Sequence, residues 1–291
     1  MSNQVAIQNN KAKTVKTVET LMANNDVKTK FNEVLGKKAP GFIASVISAS
    51  KNDLKDVEPS SILKSAMTAA TLDLPIEQNL GFAYIVPYNK KINGKWIKQA
   101  QFQMGTRGYI QLAIRTGQYE ILHATEVYEG EIKKIDRLTG EVIFNEDYID
   151  TDNKEIVGYL AHFRLINGFK KTVYMTKEEM EKHAKKYSKS YNNKNPEIVK
   201  SSIWTTDFNS MALKTVMKRL LSKYGILSIE MQKAILSDQA IIDENDNLIY
   251  ADNPTSIEHE INEKANQKII DAIDAEAVEV EGEVIEEAPP F

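Results

Sequence analysis

An α+β fold is the reading that three features of the sequence support together. Stretches with apolar residues every three or four positions flank a middle region whose apolar residues alternate or run continuously. The connections in that middle region are short and carry turn residues: Asn93-Gly94, Thr139-Gly140 and Asn167-Gly168. Short turns join neighbouring strands as hairpins, so the expected architecture is one mainly antiparallel sheet with a protruding β-hairpin, packed with helices.

Taken in order, residues 1–38 are polar and read as a flexible basic arm, in which Val15, Val18, Leu21 and Met22 allow one short helix. The core is expected over residues 39–225. It opens with a helix through Phe42, Ile43, Val46 and Ile47. A second helix starts near Pro59, a residue suited to a first turn, with Ile62, Leu63, Ala66, Met67 and Ala70 at helical spacing. Residues 82–87 and 96–104 are the strands of the hairpin, whose tip is basic. Gly105-Thr-Arg-Gly108 interrupts the second strand and opens a helix over 109–115, closed by Gly117. Strands follow at 119–128, 141–148, 156–166 and 170–175. Thr176-Lys-Glu-Glu179 has the capping-box pattern, which predicts a helix over 178–188. A polar loop at 190–196 leads to a last core helix, capped by Asp207 and running to Tyr224. Beyond Gly225 the composition changes. Residues 226–291 read as a separate acidic segment: an amphipathic helix over 256–274 (Ile257, Ile261, Ile269, Ile273), then a disordered acidic tail.

The formal net charge of −4 conceals a strong asymmetry along the chain. Residues 161–225 hold 14 basic and 5 acidic residues, a net of +9, and residues 226–291 hold 3 basic and 17 acidic, a net of −14. A basic block followed by an acidic tail points to nucleic acid. The chain has no cysteine, no secretory h-region and no apolar run long enough to span a membrane, so a cytoplasmic protein is expected. It also lacks Gly-x-x-x-x-Gly-Lys-Ser/Thr, which argues against a P-loop motor, and its four histidines are scattered without His-Glu-x-x-His. No cofactor is expected. Glu131-Ile-Lys133, with Asp136 nearby, has the spacing of some metal-dependent nucleases, but so short a motif recurs by chance.

Three clusters carry the nucleic-acid reading. The helix after Asp207 presents Lys214, Lys218, Arg219 and Lys223 with no acidic residue among them, including two i,i+4 like-charge pairs. That face suits a polyanion, although lysines near a helix C-terminus also favour its dipole. On the second hairpin strand, alternation puts Gln99, Gln101 and Gln103 on one face, and Gly105 and Gly108 bracket Arg107 at a helix start. These could contact phosphate, sugar or base edges, or could be a solvent face and a tight turn. Aromatics lie among cations as base-stacking candidates: Tyr84, Tyr88, Trp96, Tyr109, Phe169, Tyr187, Tyr191 and Trp204. Of these, Tyr187 and Tyr191, within the run containing Lys185 and Lys186, have the fewest apolar neighbours.

Residues 98–117, Lys-Gln-Ala-Gln-Phe-Gln-Met-Gly-Thr-Arg-Gly-Tyr-Ile-Gln-Leu-Ala-Ile-Arg-Thr-Gly, and the segment from Trp204 to Leu221 resemble the two hallmark segments of the RecT family of phage and prophage single-strand annealing proteins. The similarity extends over about residues 39–224. It implies an α+β core that assembles into rings or helical filaments, single-strand binding in a basic groove and annealing without ATP. It further implies a companion 5′→3′ exonuclease, with no chemical catalysis by the annealing protein itself. The matching positions make Arg107, Arg115, Lys214, Lys218 and Arg219 DNA-contact candidates, with the hairpin from Tyr84 to Lys98 as a lesser one. Lys98, Gln101, Gln103, Lys185, Lys186, Tyr187 and Lys223 complete the expected set for single strand and annealed duplex. The terminus Glu-Glu-Ala-Pro-Pro-Phe291 resembles the acidic Pro-Phe end by which bacterial single-strand binding proteins recruit partners. The tail could dock an exonuclease or a host single-strand binding protein, compete for the basic groove, or only aid solubility.

Overall fold

The computed structural model describes residues 17–92, 95–148, 154–238, 240–242 and 248–250. The first sixteen residues, the Asn93-Gly94 turn, the amphipathic segment over 256–274 and the acidic tail lie outside them. Helix α1 (Val18–Ala23) begins with a reciprocal cap: Thr17 Oγ1 accepts the Thr20 N–H, and Thr20 Oγ1 accepts the Thr17 N–H. The Asn24 side chain caps α2 (Asn25–Leu35). Val18, Met22, Phe31 and Leu35 are buried where these helices pack on α3 (Ala39–Lys51) and α4 (Pro59–Thr71). Residues 18–35 are therefore part of the helical layer, which corrects the expectation of a flexible arm up to residue 38. Their apolar spacing has a partner that the local sequence does not reveal.

α4 starts at Pro59 as its sequence predicts, with the Glu58 carboxylate accepting the N–H groups of Ser60 and Ser61. The same turn is stitched to the hairpin. Glu58 N–H donates to Lys98 O at 2.9 Å, and Ala100 N–H donates to Ser61 Oγ at 2.8 Å. The hairpin pairs β1 (Ala83–Ile92) with β2 (Lys95–Met104) in an unbroken register from Ala83↔Met104 to Ile92↔Lys95. Its base is core, with Ala83, Ala100, Phe102 and Met104 buried; its outer end is exposed at Lys95, Trp96 and Lys98.

Helix α5 (Thr106–Arg115) follows after a single residue. A Cβ on Gly105 would lie 2.0 Å from the Gly81 carbonyl oxygen, and one on Gly108 would lie 2.2 Å from that of Phe82. Two chain segments thus cross where only glycine fits. The Gly105 N–H donates to Phe82 O and the Gly108 N–H to Gly105 O, so neither is a free donor for phosphate.

The middle strands form a three-stranded antiparallel sheet in the order β3 (Tyr119–Tyr128), β6 (Ile156–Leu165), β7 (Lys170–Thr176). Between β3 and β6 the chain makes a separate small hairpin, β4 (Ile132–Ile135) with β5 (Val142–Phe144). The expected antiparallel pairing holds, but the strands divide among several sheets rather than one. β4 was not anticipated, since Ile-Lys-Lys-Ile is too short to show a period. β5 is shorter than its expected 141–148.

Helix α6 (Lys177–Tyr187) carries the predicted capping box between Thr176 and Glu179. Short helices α7 (Pro196–Ser201) and α8 (Ile203–Thr206) precede α9 (Phe208–Tyr224), capped by Asp207. α9 lies on the three-stranded sheet, where Ala212, Val216 and Leu220 join Tyr159, Phe163, Met180 and Trp204 in one core cluster.

The chain does not leave the fold at Gly225. Helix α10 (Ile229–Ser237) buries Met231, Ala234 and Ile235, Asp238 is buried after it, and β8 (Ala240–Ile242) pairs with β9 (Leu248–Tyr250). The described residues among 226–250 thus belong to the same compact unit as the hairpin and helices, which corrects the boundary expected after residue 225. Among the described residues no helix is long and apolar enough to cross a membrane.

Candidate nucleic-acid interface

The end of α6 and the loop after it form a basic concavity. Lys185, Lys186, Lys189 and Lys194, with Asn192 and Asn193, line a space of about 400 Å³ with no carboxylate among its walls. Lys185 and Lys186 occupy the last turn of α6, where the helix dipole favours cations, so their accumulation costs the fold little. Tyr187 packs on His183 with ring centroids 4.5 Å apart, and Lys186 Nζ is 4.9 Å from the Tyr187 ring. Tyr191 does not stand free of apolar neighbours, because it packs against the core beside Trp204.

His183 shows how α6 and α9 meet. Burial, then the positive charges of Arg219, Lys218 and Lys186, push its imidazole down to about 4. The imidazole is therefore neutral at physiological pH, in a field set by cations from both helices. The structure thus brings Lys185, Lys186, Tyr187, Lys218 and Arg219 into one region, although they are spread over 35 residues of sequence. Arg219 is exposed, and one guanidinium nitrogen touches Met175 Sδ at 3.7 Å. Lys223, one turn on, is exposed with its ammonium 5.5 Å from the Tyr224 ring.

Lys214 belongs to a different arrangement. Its side chain is buried and its ammonium lies 3.3 Å from Asp238, while Lys218 reaches the other carboxylate oxygen at 2.8 Å. Asp238 also accepts the Met104 N–H at 2.8 Å and the Tyr109 hydroxyl at 2.9 Å. One carboxylate therefore ties β2, α5, α9 and the end of α10 together. Burial would raise its pKa, but Lys214, Lys218 and the Met104 N–H override this and hold the carboxyl well below the usual carboxylate range. Burial lowers the Lys214 ammonium below an ordinary lysine, with Asp238 opposing. Lys214, expected as a DNA contact on α9, is instead buried on this carboxylate, which comes from the segment read as a separate tail.

The other expected contacts divide. Gln101 is buried and accepts a hydrogen bond at 3.0 Å from Nε2 of Gln103, which is itself partly exposed. Both α4 and β8 pack on β2, which strand alternation alone cannot show. Arg107 is exposed and reaches Leu80 O at 3.3 Å. Lys98 is half-exposed, 3.8 Å from Asp56. Arg115 acts as a clamp: its guanidinium donates to Leu72 O at 2.7 Å and Asp73 O at 2.8 Å, closing the C-terminal end of α4, where Asp73 has φ +48°. Arg115→Ala is therefore expected to lower stability by about 1–2 kcal/mol in urea unfolding and to leave single-strand affinity nearly unchanged. A large affinity loss at unchanged stability would make Arg115 a strand contact instead.

Glu131 and Asp136 cap turns. Glu131 accepts the Tyr128 N–H, and Asp136 accepts those of Leu138 and Thr139. Among the described residues no group of three or more His, Asp or Glu is placed to hold a metal ion.

The RecT family profile matches residues 40–250, which takes in the hairpin, α5, α9 and the Asp238 segment. The chain belongs to the RecT family. It is accordingly a recombination protein of the RecT type. Among curated relatives, the chain is 43% identical over 271 residues to the uncharacterized protein YqaK of Bacillus subtilis (strain 168), covering 91% of this chain and 88% of the relative. It is 30% identical over 190 residues to the protein RecT of Escherichia coli (strain K12), covering 64% and 65%.

Proposed function

We propose that this RecT-family chain binds single-stranded DNA and anneals it to its complement without nucleotide hydrolysis. The observation that carries this reading is the carboxylate-free basic concavity after α6, beside the α9 cations that share His183 with it. Phosphates entering such a surface release counterions, so affinity falls with salt at a log–log slope of about −0.7 per phosphate neutralised. Holding the strand by its phosphates leaves the base edges free to test a second strand. The correct duplex then supplies its own driving force, with stacking worth roughly 1.4 kcal/mol per step. No proton transfer or nucleophile is needed, so none of the residues above is catalytic. From the family resemblance we further infer self-assembly along DNA as a ring or filament, a cytoplasmic setting, and a companion 5′→3′ exonuclease that makes the substrate.

The test mixes two complementary labelled oligonucleotides, added in sequence, with the full chain and no ATP, and follows pairing by fluorescence transfer across a salt series. Pairing faster than the protein-free control, fading as salt rises, is the expected result. Tight binding with slowed pairing would leave a strand-coating protein and overturn the annealing reading.

A further inference from the structure

The outer end of the β1–β2 hairpin carries a second recognition element that the basic concavity does not account for. In β2, alternate residues share a face, so Trp96 and Lys98 continue the row formed by Ala100, Phe102 and Met104. At the base that row is core, with Ala100, Phe102 and Met104 nearly fully buried. Three residue steps beyond Lys98, roughly 10 Å, the strand ends in solvent. The row nevertheless ends in the largest apolar side chain available, and Trp96 is 72% exposed. Nothing in the described fold covers it.

Charge indicates what does. Trp96 stands opposite Lys91 in the register, next to the exposed Lys95 and two residues from the half-exposed Lys98. An apolar protein partner would be repelled by cations it could not pair, whereas an unpaired nucleobase brings a flat ring and a phosphate together. Tryptophan on a backbone-paired ribbon also loses little side-chain entropy on binding. We propose that the hairpin is a base-stacking finger: the Trp96 indole takes one unpaired base of single-stranded DNA, with Lys98, on the same face, on the adjoining phosphate. This rests on the single-strand-binding reading above and adds a base contact to it. Stacking needs no particular base, so the finger is sequence-tolerant, and it acts only on bases not yet paired.

The chain has two tryptophans, and Trp204 is buried in the core. Intrinsic fluorescence is titrated with an oligo-dT and with an abasic deoxyribose-phosphate oligomer of equal length, and binding is followed separately by anisotropy. Oligo-dT is expected to quench the indole and the abasic oligomer to bind without quenching. Trp96→Ala should weaken oligo-dT binding about 5- to 100-fold and abasic binding by less than about twofold, with Trp96→Phe in between. Since Trp96 is exposed, thermal unfolding of both variants should match the parent. Equal losses on the two oligomers, quenching that persists in Trp96→Ala, or an emission change that follows protein concentration without DNA (a second copy on the indole) would each overturn the finger. Undiminished oligo-dT binding by Trp96→Ala would remove the finger and leave the annealing reading intact. Failure of the parent chain to bind either oligomer would remove both.

Discussion

Asp238→Ala is expected to cost about 3–5 kcal/mol of folding stability, a large part of the total that a domain of this size has. The loss would arise from what stays behind. Lys214 would keep a buried ammonium without a counterion, and the Tyr109 hydroxyl and Met104 N–H would lose their acceptor. Asp238→Asn should fail almost as badly, because an amide keeps one acceptor oxygen where Asp238 uses one for the Met104 N–H and the other for the Tyr109 hydroxyl, and it cannot balance two ammoniums. Lys214→Met should be far milder: it fills similar volume and leaves Lys218 and Asp238 as a one-to-one pair. The check is urea unfolding of the three variants, and equal costs for Asp238→Ala and Lys214→Met would mean that the node is not organised around the carboxylate.

The same node fixes part of the acid limb of stability. Asp238 has a folded pKa below its unfolded value, so its contribution is complete above about pH 3.9 and is lost progressively as pH falls below that. His183 acts at higher pH. Its imidazole titrates near 4 in the folded chain against about 6.5 when unfolded, so the unfolded state takes up its proton first and stability declines as pH drops through that window. Stability should therefore begin to fall below about pH 6.5 in urea unfolding measured across pH, and His183→Gln should flatten the upper part of the curve.

These features separate what the sequence makes legible from what it hides. The hairpin was readable because alternation over ten residues and an Asn-Gly pair carry two independent signals, and α9 because its cap and apolar face agree. Asp238 was hidden for a different reason. Summing charge over residues 226–291 treats every carboxylate there as solvated, and no local period connects position 238 to 214 and 218. α10 did have a signal, with Ser228 as a cap and Met231, Ala234 and Ile235 on one face, but the acidic composition around it masked that. Arg115 and Gln101 have surroundings that no local pattern announces: the Arg115 guanidinium reaches the carbonyls at the end of α4, and Gln101 is buried although it alternates with the core residues of β2. The basic concavity was half legible. The lysine run over 185–194 is plain in the sequence, whereas the approach of Arg219 and Lys218 to His183 depends on how α9 lies across the sheet.

Replacing Lys185, Lys186 and Arg219 together by Gln is expected to weaken single-strand binding by about 100-fold at 0.1 M salt, with folding stability nearly unchanged. The three side chains are exposed, so their replacement opens no cavity, and the Arg219 contact with Met175 Sδ is a weak hydrogen bond whose loss costs little. If each neutralises one phosphate, the log–log salt slope should shrink by about 2, and that slope extrapolated from 1 M gives the hundredfold loss. The salt slope is the deciding readout, because a variant that merely misfolds would lose active fraction at every salt concentration and keep its slope. Lys214→Ala is no substitute for this test, since it would lower activity by unsettling the Asp238 node. His183 provides an internal check on location. Burial keeps its imidazole low, but Arg219 and Lys186 add to the depression, so their neutralisation should move its titration upward in NMR spectra of the free protein. Bound oligonucleotide should move it the same way in the parent chain by placing phosphate among those cations. An oligonucleotide that binds with the parent's full salt slope yet leaves His183 unmoved would place the strand elsewhere on the molecule.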